Sequence, residues 1–251
     1  MNYSLSNIPD RTTKPRQAGI NMVMDKGLSI NEAKNLVAAA GHLVDFVKLG
    51  FGTSAITNNV EEKIAFYQDS NIDVYLGGTL FEAFLIRNQY EDYKKLLKRW
   101  ELNAVEVSDG SMSIPHDEKC NYIKDLKDDY IVLSEVGKKS TDKVMSNQEW
   151  VESIQKEMEA GSFKVIAEAR ESGTVGIYDK NGKANTELIS MIKDNVSLEN
   201  MLWEAPIKSQ QAWFVQEFGA NVNIGNISPN EVIALETLRI GLRGDTFFQF
   251  L

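Results

Sequence analysis

The fold of this chain is decided by residues 130–170, which read YIVLSEVGKKSTDKVMSNQEWVESIQKEMEAGSFKVIAEAR. Two short apolar runs, Tyr130–Glu135 and Phe163–Ala169, flank a segment with the apolar spacing of a helix at Asn147–Ala160. Both runs are apolar on two faces, which is typical of parallel strands that helices cover. The stretch therefore predicts a strand–helix–strand unit in which a glutamate stands near the end of each strand.

The same alternation continues in both directions along the chain. Further strands are predicted at Ile20–Asp25, Leu43–Leu49, Ile72–Gly77, Ala104–Val107, Met201–Glu204 and Val222–Ile227. Further helices are predicted at Ser29–Ala40, Asn59–Asp69, Leu80–Trp100, Asp117–Leu126, Asn185–Asp194, Ser209–Phe218 and Pro229–Leu238. Eight such units without a second domain predict a single-domain (β/α)8 TIM barrel over residues 1–251. A doubly wound open sheet is the alternative.

Composition excludes several classes of protein. The net charge of −9 argues against nucleic acid as the main partner, because phosphate backbones require a basic surface. No run of about 18 apolar residues occurs, so we expect no membrane-spanning helix. The amino terminus lacks the basic-then-apolar order of a secretory signal, and the single Cys120 offers no disulfide. We therefore expect a cytoplasmic protein.

Charged residues recur at the downstream ends of the predicted strands. In a parallel α/β fold these ends meet on one face, and a buried charge there needs a metal, a substrate or an opposite charge nearby. The carboxylates favour Mg²⁺, which prefers oxygen ligands, and the many cations favour an anionic ligand with phosphate or carboxylate groups. Because side chains alternate along a strand, Asp25 and Lys26 cannot both point into the barrel.

Taken in order, these residues resemble the phosphosulfolactate synthase family from about Lys14 to Thr246. The matching segments lie around Lys14–Gly19, Val23–Gly27, Val44–Thr53, Gly77–Glu82, Glu106–Gly110, Glu135–Lys139, Glu168–Gly173, Glu204–Gln211, Asn221–Asn226 and Leu238–Thr246. The chain departs from the family pattern at Asn21, where a small hydroxyl residue is expected, at Phe51 in place of Trp, and at Ala169 in place of Gly.

The resemblance implies a Mg²⁺-dependent enzyme that adds sulfite to phosphoenolpyruvate. The product would be (2R)-2-phospho-3-sulfolactate, formed through an aci-carboxylate that a lysine protonates. The resemblance also implies a homo-oligomer, with a trimer as the expected form. The pathway that uses the product, coenzyme M biosynthesis among others, stays open.

Residue roles follow from the resemblance as hypotheses. Lys139 or Lys138 would donate the proton, with Lys139 preferred. Mg²⁺ would be held by Glu135, Glu168 and Glu204, with Asp25 as the next candidate. Substrate would be bound by Lys14, Arg16, Lys26, Lys48, Arg170, Lys208, Asn223, Asn226, Arg239 and Arg243.

Two other functions remain open at this stage. The chain could be another TIM-barrel lyase or isomerase that forms an enolate from a phosphorylated carboxylate, since such an enzyme would use the same groups. It could also be a non-catalytic, stress-associated homologue on an inherited scaffold. The second alternative predicts loss of the charges at the strand ends, yet these charges are present.

Overall fold

Eight parallel strands form a barrel in the computed structural model, which describes residues 2–137, 145–170 and 172–251. The strands are β1 Asn21–Asp25, β2 Phe46–Leu49, β3 Asp73–Leu76, β4 Ala104–Val107, β5 Ile131–Val136, β6 Lys164–Ala167, β7 Met201–Glu204 and β8 Ile224–Ile227. Their hydrogen-bonded order is β3-β2-β1-β8-β7-β6-β5-β4, so the first strand pairs with the last. The predicted (β/α)8 barrel is confirmed, and the doubly wound alternative is wrong.

Side chains bridge the seam between β3 and β4, the two strands at the ends of this order. At the amino ends of the strands, the side-chain amide of Asn103 donates a hydrogen bond to the carboxylate of Asp73. At the carboxyl ends, the backbone N–H of Gly78 donates to Oε1 of Glu106 at 2.5 Å. The carboxylate of Glu106 therefore takes part in closing the barrel.

Helices follow the strands along the chain. They are α1 Ile30–Ala40, α2 Val60–Asp69, α3 Gly78–Leu85, α4 Tyr90–Arg99, α5 His116–Leu126, α6 Asn147–Ala160, α7 Thr186–Asn195, α8 Lys208–Phe218 and α9 Val232–Arg239. Short 3-10 turns occupy Gly41–Leu43, Gly50–Ala55, Leu198–Asn200 and Pro229–Glu231. In the described ranges, none of the helices combines the length and the apolar character needed to cross a bilayer.

Local sequence explains where helices begin and where one prediction fails. Capping boxes start α1 and α6, in which Ser29 and Ser146 exchange hydrogen bonds with the glutamates three residues later. The single helix predicted at Leu80–Trp100 is wrong, since α3 and α4 are separate. Asn88 lies between them with φ 56°, a left-handed conformation that an α-helix cannot continue through.

Side-chain alternation fills the barrel and aims the residues above the filling. The interior cluster consists of Ile20, Met22, Phe46, Tyr75, Ala104, Leu133, Ile166 and Leu202. A second, larger cluster lies between the sheet and the helices. Since side chains two positions apart share a face, the residue two after an interior residue also points inward. This rule brings Lys48, Glu106, Glu135, Glu168 and Glu204 to the carboxyl end of the barrel interior.

Candidate active site

Lys48 lies among buried glutamates at the carboxyl end of the barrel. Nζ of Lys48 is 2.9 Å from Oε2 of Glu106, 3.3 Å from Oε1 of Glu204 and 3.6 Å from Oε2 of Glu135. Lys48 is 6% exposed and Glu135 is 1% exposed. Burial opposes the charge on Lys48, but the three carboxylates outweigh burial and raise its pKa well above the usual value. Lys48 is therefore a permanent cation here.

Glu204 is a carboxylate whose protonation is changed by its surroundings in the site. Burial and the neighbouring Glu135 raise the pKa of Glu204 to about 7, although Lys48 and the N–H of Ala169 act in the opposite direction. That N–H donates to Oε2 of Glu204 at 2.8 Å. The hydroxyl of Tyr178 donates to the backbone carbonyl of Glu204 at 2.7 Å. These two hydrogen bonds fix the backbone carbonyl and one carboxylate oxygen of Glu204.

Glu106 is positioned by a glycine at the start of α3. A Cβ on Gly78 would lie 2.3 Å from Oγ of Ser108 and 2.5 Å from Oε1 of Glu106. Any larger residue at this position would therefore push the carboxylate of Glu106 away from the backbone N–H that donates a hydrogen bond to it. Oγ of Ser108 in turn donates to Oε1 of Glu82 at 2.5 Å, which fixes the loop after β4.

Three of the glutamates could hold a metal ion. Glu135, Glu168 and Glu204 each offer a carboxylate oxygen, and these oxygens lie within 4.8 Å of one another. Hard oxygen donors suit Mg²⁺. Glu106 is a fourth buried carboxylate at this end of the barrel, and burial together with the nearby Glu135 and Glu106 raises the pKa of Glu204. The residues present therefore fit a divalent cation.

These side chains border a cavity of about 320 Å³, a volume suited to a small ligand. Its lining residues are Met24, Lys48, Phe51, Gly77, Gly78, Thr79, Glu106, Glu135, Glu168, Ala169, Arg170, Ser172, Glu204 and Asn226. The floor is acidic, Arg170 adds a cation at the exposed rim, and Met24 and Phe51 form an apolar wall. The cavity can therefore take a small polar anion together with a metal ion.

The structure brings together a large part of the predicted site. The residues that line the cavity as predicted are Lys48, Glu135, Glu168, Arg170, Glu204 and Asn226. Their individual roles in binding and catalysis stay predictions. Lys138 and Lys139, the two candidate proton donors, lie outside the described residues.

The placement of Asp25 in this metal-binding group is wrong. Asp25 follows the inward-facing Met24, so its carboxylate points to the outside of the barrel. There Oδ2 lies 2.8 Å from Nζ of Lys63 and accepts a hydrogen bond from Tyr67, and Oδ1 accepts from two backbone N–H groups in the loop after β1. Lys26 is exposed at the start of that loop and lies beside a separate surface depression.

Lys14 and Arg16 lie at the amino ends of the strands, away from the cavity. Arg16 forms an ion pair with Asp45 at 2.9 Å, just before β2. Lys14 donates to the backbone carbonyls of Val44 and Asn71, each at 2.5 Å. The prediction that they bind substrate in this cavity is wrong, because the segment before β1 packs beneath the barrel.

Asn223 and Arg239 also belong to the amino end of the barrel. Oδ1 of Asn223 accepts from the backbone N–H of Ile20, directly before β1. The guanidinium of Arg239 is fully buried and donates to the backbone carbonyls of Ala220 and Val222, each at 2.7 Å. Arg239 was predicted to bind substrate, but it ends α9, which has carried the chain back to the amino end of the barrel.

Lys208 and Arg243 lie outside the cavity on the helical layer. Nζ of Lys208, at the start of α8, forms an ion pair with Oδ2 of Asp245 at 2.6 Å. The guanidinium of Arg243 lies 3.5 Å from the carbonyl of Ala234 on α9. The predicted substrate contacts of these two residues therefore have no support in the geometry.

Sequence reasoning did not assign roles to several residues of the cavity. Met24 could have been found from alternation, since it lies two positions after the interior Met22. Phe51 is 48% exposed and left-handed, with φ 34°, next to Gly52 with φ 74°. The Gly50-Phe51-Gly52 sequence indicates such a turn. The sequence alone does not predict that the turn places Phe51 at the cavity.

The sequence is similar to that of known proteins along nearly its whole length. The sequence model of a family described as (2R)-phospho-3-sulfolactate synthase matches residues 9–245. The phosphosulfolactate synthase of Bacillus subtilis is 40% identical over 251 residues, covering 99% of this chain and 100% of the relative. The phosphosulfolactate synthase of Methanocaldococcus jannaschii is 43% identical over 237 residues, covering 92% of this chain and 94% of the relative.

Among solved structures, the 3-hexulose-6-phosphate synthase of Salmonella typhimurium superposes with a TM-score of 0.57. The match covers 89% of this chain and 100% of that chain at 13% identity. At this level of identity the likeness concerns the fold alone, and it agrees with the (β/α)8 barrel described above.

Proposed function

This chain belongs to the phosphosulfolactate synthase family, and from that premise we propose that it catalyses the Mg²⁺-dependent addition of sulfite to phosphoenolpyruvate. The observation that carries the proposal is the group of Glu135, Glu168 and Glu204 beside Lys48 in one small cavity. A cluster of carboxylates next to a fixed cation suits a metal ion and an anionic substrate together.

Mg²⁺ would be held by Glu135, Glu168 and Glu204, whose oxygens are close enough to share one ion. Bound there, it would act as a Lewis acid towards the oxygens of a carboxylate or phosphate. Glu204 presents Oε1 in this direction because Ala169 holds the other oxygen. The chain thus supplies a partly preformed set of hard ligands.

The cations of the cavity would offset the repulsion between the two anionic substrates of the reaction. Sulfite and phosphoenolpyruvate are both anions, and their repulsion must be offset before the C–S bond can form. Lys48 is charged at all relevant pH values, and Arg170 lies at the rim of the same cavity. We assign these two residues to substrate binding.

The reaction also needs one proton. Sulfur would bond to the methylene carbon, the double-bond electrons would shift towards the carboxylate, and a proton would then be added to the phosphate-bearing carbon. Lys48 is a poor acid because its carboxylate neighbours stabilise the ammonium. We therefore retain Lys139, with Lys138 as the other candidate, as the proton donor.

The proposed activity is tested with purified protein, phosphoenolpyruvate, sulfite and Mg²⁺. We expect mass spectrometry to detect phosphosulfolactate, formation of which stops with EDTA and resumes with added Mg²⁺. Consumption of phosphoenolpyruvate with another nucleophile, but not with sulfite, would indicate a different enolate-type lyase. Binding of phosphoenolpyruvate without any turnover would indicate a non-catalytic homologue. Either result would contradict the proposed function.

Mg²⁺ binding is expected to weaken as the pH falls through about 7. The raised pKa of Glu204 means that protons compete with the metal ion below this value, approaching a tenfold loss of affinity per pH unit. In the metal-free protein the retained proton stabilises the fold at low pH, and this stabilisation is lost as the pH rises through about 7. The increase in Tm caused by Mg²⁺ should therefore be larger at about pH 8 than at about pH 6.

Calorimetric Mg²⁺ titration and thermal unfolding across this range check the prediction. Glu204→Gln removes the titrating group, so its Mg²⁺ affinity should be weaker and less dependent on pH. A wild-type Mg²⁺ affinity that does not change between about pH 6 and about pH 8 would show that Glu204 does not govern metal binding.

Two further properties are carried over as expectations of the same proposal. We expect a cytoplasmic enzyme, and we expect a homo-oligomer, with a trimer as the form that the family resemblance suggests. Sedimentation of the purified protein measures the second expectation directly.

A further inference from the structure

Lys48 contacts the same carboxylates that would hold the divalent cation. Its Nζ lies 3.3 Å from Oε1 of Glu204 and 3.6 Å from Oε2 of Glu135, and both glutamates belong to the three-carboxylate group. The other oxygen of Glu204 accepts the N–H of Ala169. A metal ion that binds Glu204 through Oε1 would therefore take the oxygen that Lys48 contacts.

Two cations cannot occupy these positions without strong repulsion. The repulsion between a divalent ion and an ammonium is twice that between two unit charges at the same distance, and burial reduces its screening. Lys48 has another partner, since Oε2 of Glu106 lies 2.9 Å away and Glu106 is not part of the three-carboxylate group. A lysine side chain is long and flexible enough to shift between such partners.

We infer that Lys48 and the divalent cation compete for Glu135 and Glu204, so that the cation binds first and releases Lys48 towards the anionic substrate. Lys48 then stays close to Glu106 and points its ammonium into the cavity that it already lines. The second half of this inference rests on the proposed function. In this scheme the metal ion binds the anionic substrate and also frees the ammonium group of Lys48 to bind it.

The decisive measurement is Mg²⁺ binding to the metal-free, full-length protein without any substrate. Lys48→Met removes the charge, and Lys48→Gln removes it while keeping polar contacts. In both variants we expect the Kd for Mg²⁺ to fall by about tenfold or more, because the competing cation is gone. The same variants should bind phosphoenolpyruvate more weakly at saturating Mg²⁺. Lys48→Arg keeps the charge and should show a Kd for Mg²⁺ near that of the wild type.

Lys63→Met is the matched control. Lys63 is also buried and pairs with a carboxylate, that of Asp25 at 2.8 Å, but this pair lies outside the three-carboxylate group. Its loss should leave the Kd for Mg²⁺ unchanged. An unchanged or higher Kd in the Lys48 variants would overturn the inference, since Lys48 would then support the metal site.

Folding of the variants is informative as well. If they fold only when Mg²⁺ is present, the inference is supported, because the metal ion then replaces the missing positive charge. If they remain unfolded with Mg²⁺, the inference is overturned. These measurements use Mg²⁺ alone, so they do not depend on the proposed reaction. If the protein adds no sulfite to phosphoenolpyruvate but the Lys48→Met and Lys48→Gln variants bind Mg²⁺ more tightly than the wild type, the proposed function is refuted and the inferred competition is still supported.

Discussion

Glu168→Gln is expected to reduce the addition of sulfite to phosphoenolpyruvate by about 10³-fold, which corresponds to ~4 kcal/mol of transition-state stabilisation. The change preserves the shape of a buried side chain after β6 but removes one of the three carboxylates proposed to hold Mg²⁺. Neutral amide oxygens are weaker ligands for Mg²⁺ than carboxylates. Calorimetry should show a large increase in the Kd for Mg²⁺, and steady-state kinetics should show the loss of turnover.

Asp25→Asn is the control for this experiment, because it also neutralises a buried carboxylate at the carboxyl end of a strand. Asp25 pairs with Lys63 on the outside of the barrel, so the change should lower the Tm but leave the Kd for Mg²⁺ near the wild-type value. If Asp25→Asn abolishes Mg²⁺ binding while Glu168→Gln does not, the metal site has been assigned to the wrong side of the sheet.

Gly137→Ala is expected to lower the free energy of unfolding by roughly 2–6 kcal/mol and to weaken Mg²⁺ binding. Gly137 has φ 132°, a conformation that side-chain-bearing residues rarely adopt. A Cβ there would lie 2.6 Å from Cβ of Glu168 and 2.8 Å from the ring of Trp150. The methyl group would therefore displace Glu168, one of the three glutamates proposed to hold Mg²⁺.

Gly219→Ala separates backbone strain from this clash. Gly219 has φ 85°, and within the described part of the chain a Cβ there would meet nothing within 4 Å. We expect Gly219→Ala to lower the free energy of unfolding by about 1–3 kcal/mol, the cost of the strained backbone alone, and to leave the Kd for Mg²⁺ unchanged. Urea unfolding and Mg²⁺ titration of both variants measure the difference. Equal losses of stability with unchanged Mg²⁺ binding would contradict the close packing of Gly137 against Glu168.

Most of the correct predictions followed from the alternation of strand and helix patterns along the sequence. The strands β4 and β7 begin and end where predicted, because their apolar runs are bounded by polar residues. Glu135, Glu168 and Glu204 could be placed near one another because parallel strands bring their carboxyl ends to one face. The helix break at Asn88 was missed, since the apolar spacing continues across it.

The errors at the site have one physical origin. A residue's position along the chain tells which end of the barrel it approaches only when it directly follows a strand. Arg239 ends α9, and that helix carries the chain back to the amino end of the barrel. Arg243 follows the same helix and lies on the helical layer. Asp25 is the last residue of β1, but a shift of one residue turns a side chain from the interior to the exterior.

The carboxylate of Glu106 serves two purposes at once, and this limits how the protein can evolve. One oxygen closes the seam between β3 and β4 through Gly78, and the other pairs with Lys48. Natural selection cannot vary this glutamate for a new substrate without loosening the architecture. Changes in ligand preference are therefore expected at other residues that line the cavity, such as Phe51 and Arg170, which are tied to neither task.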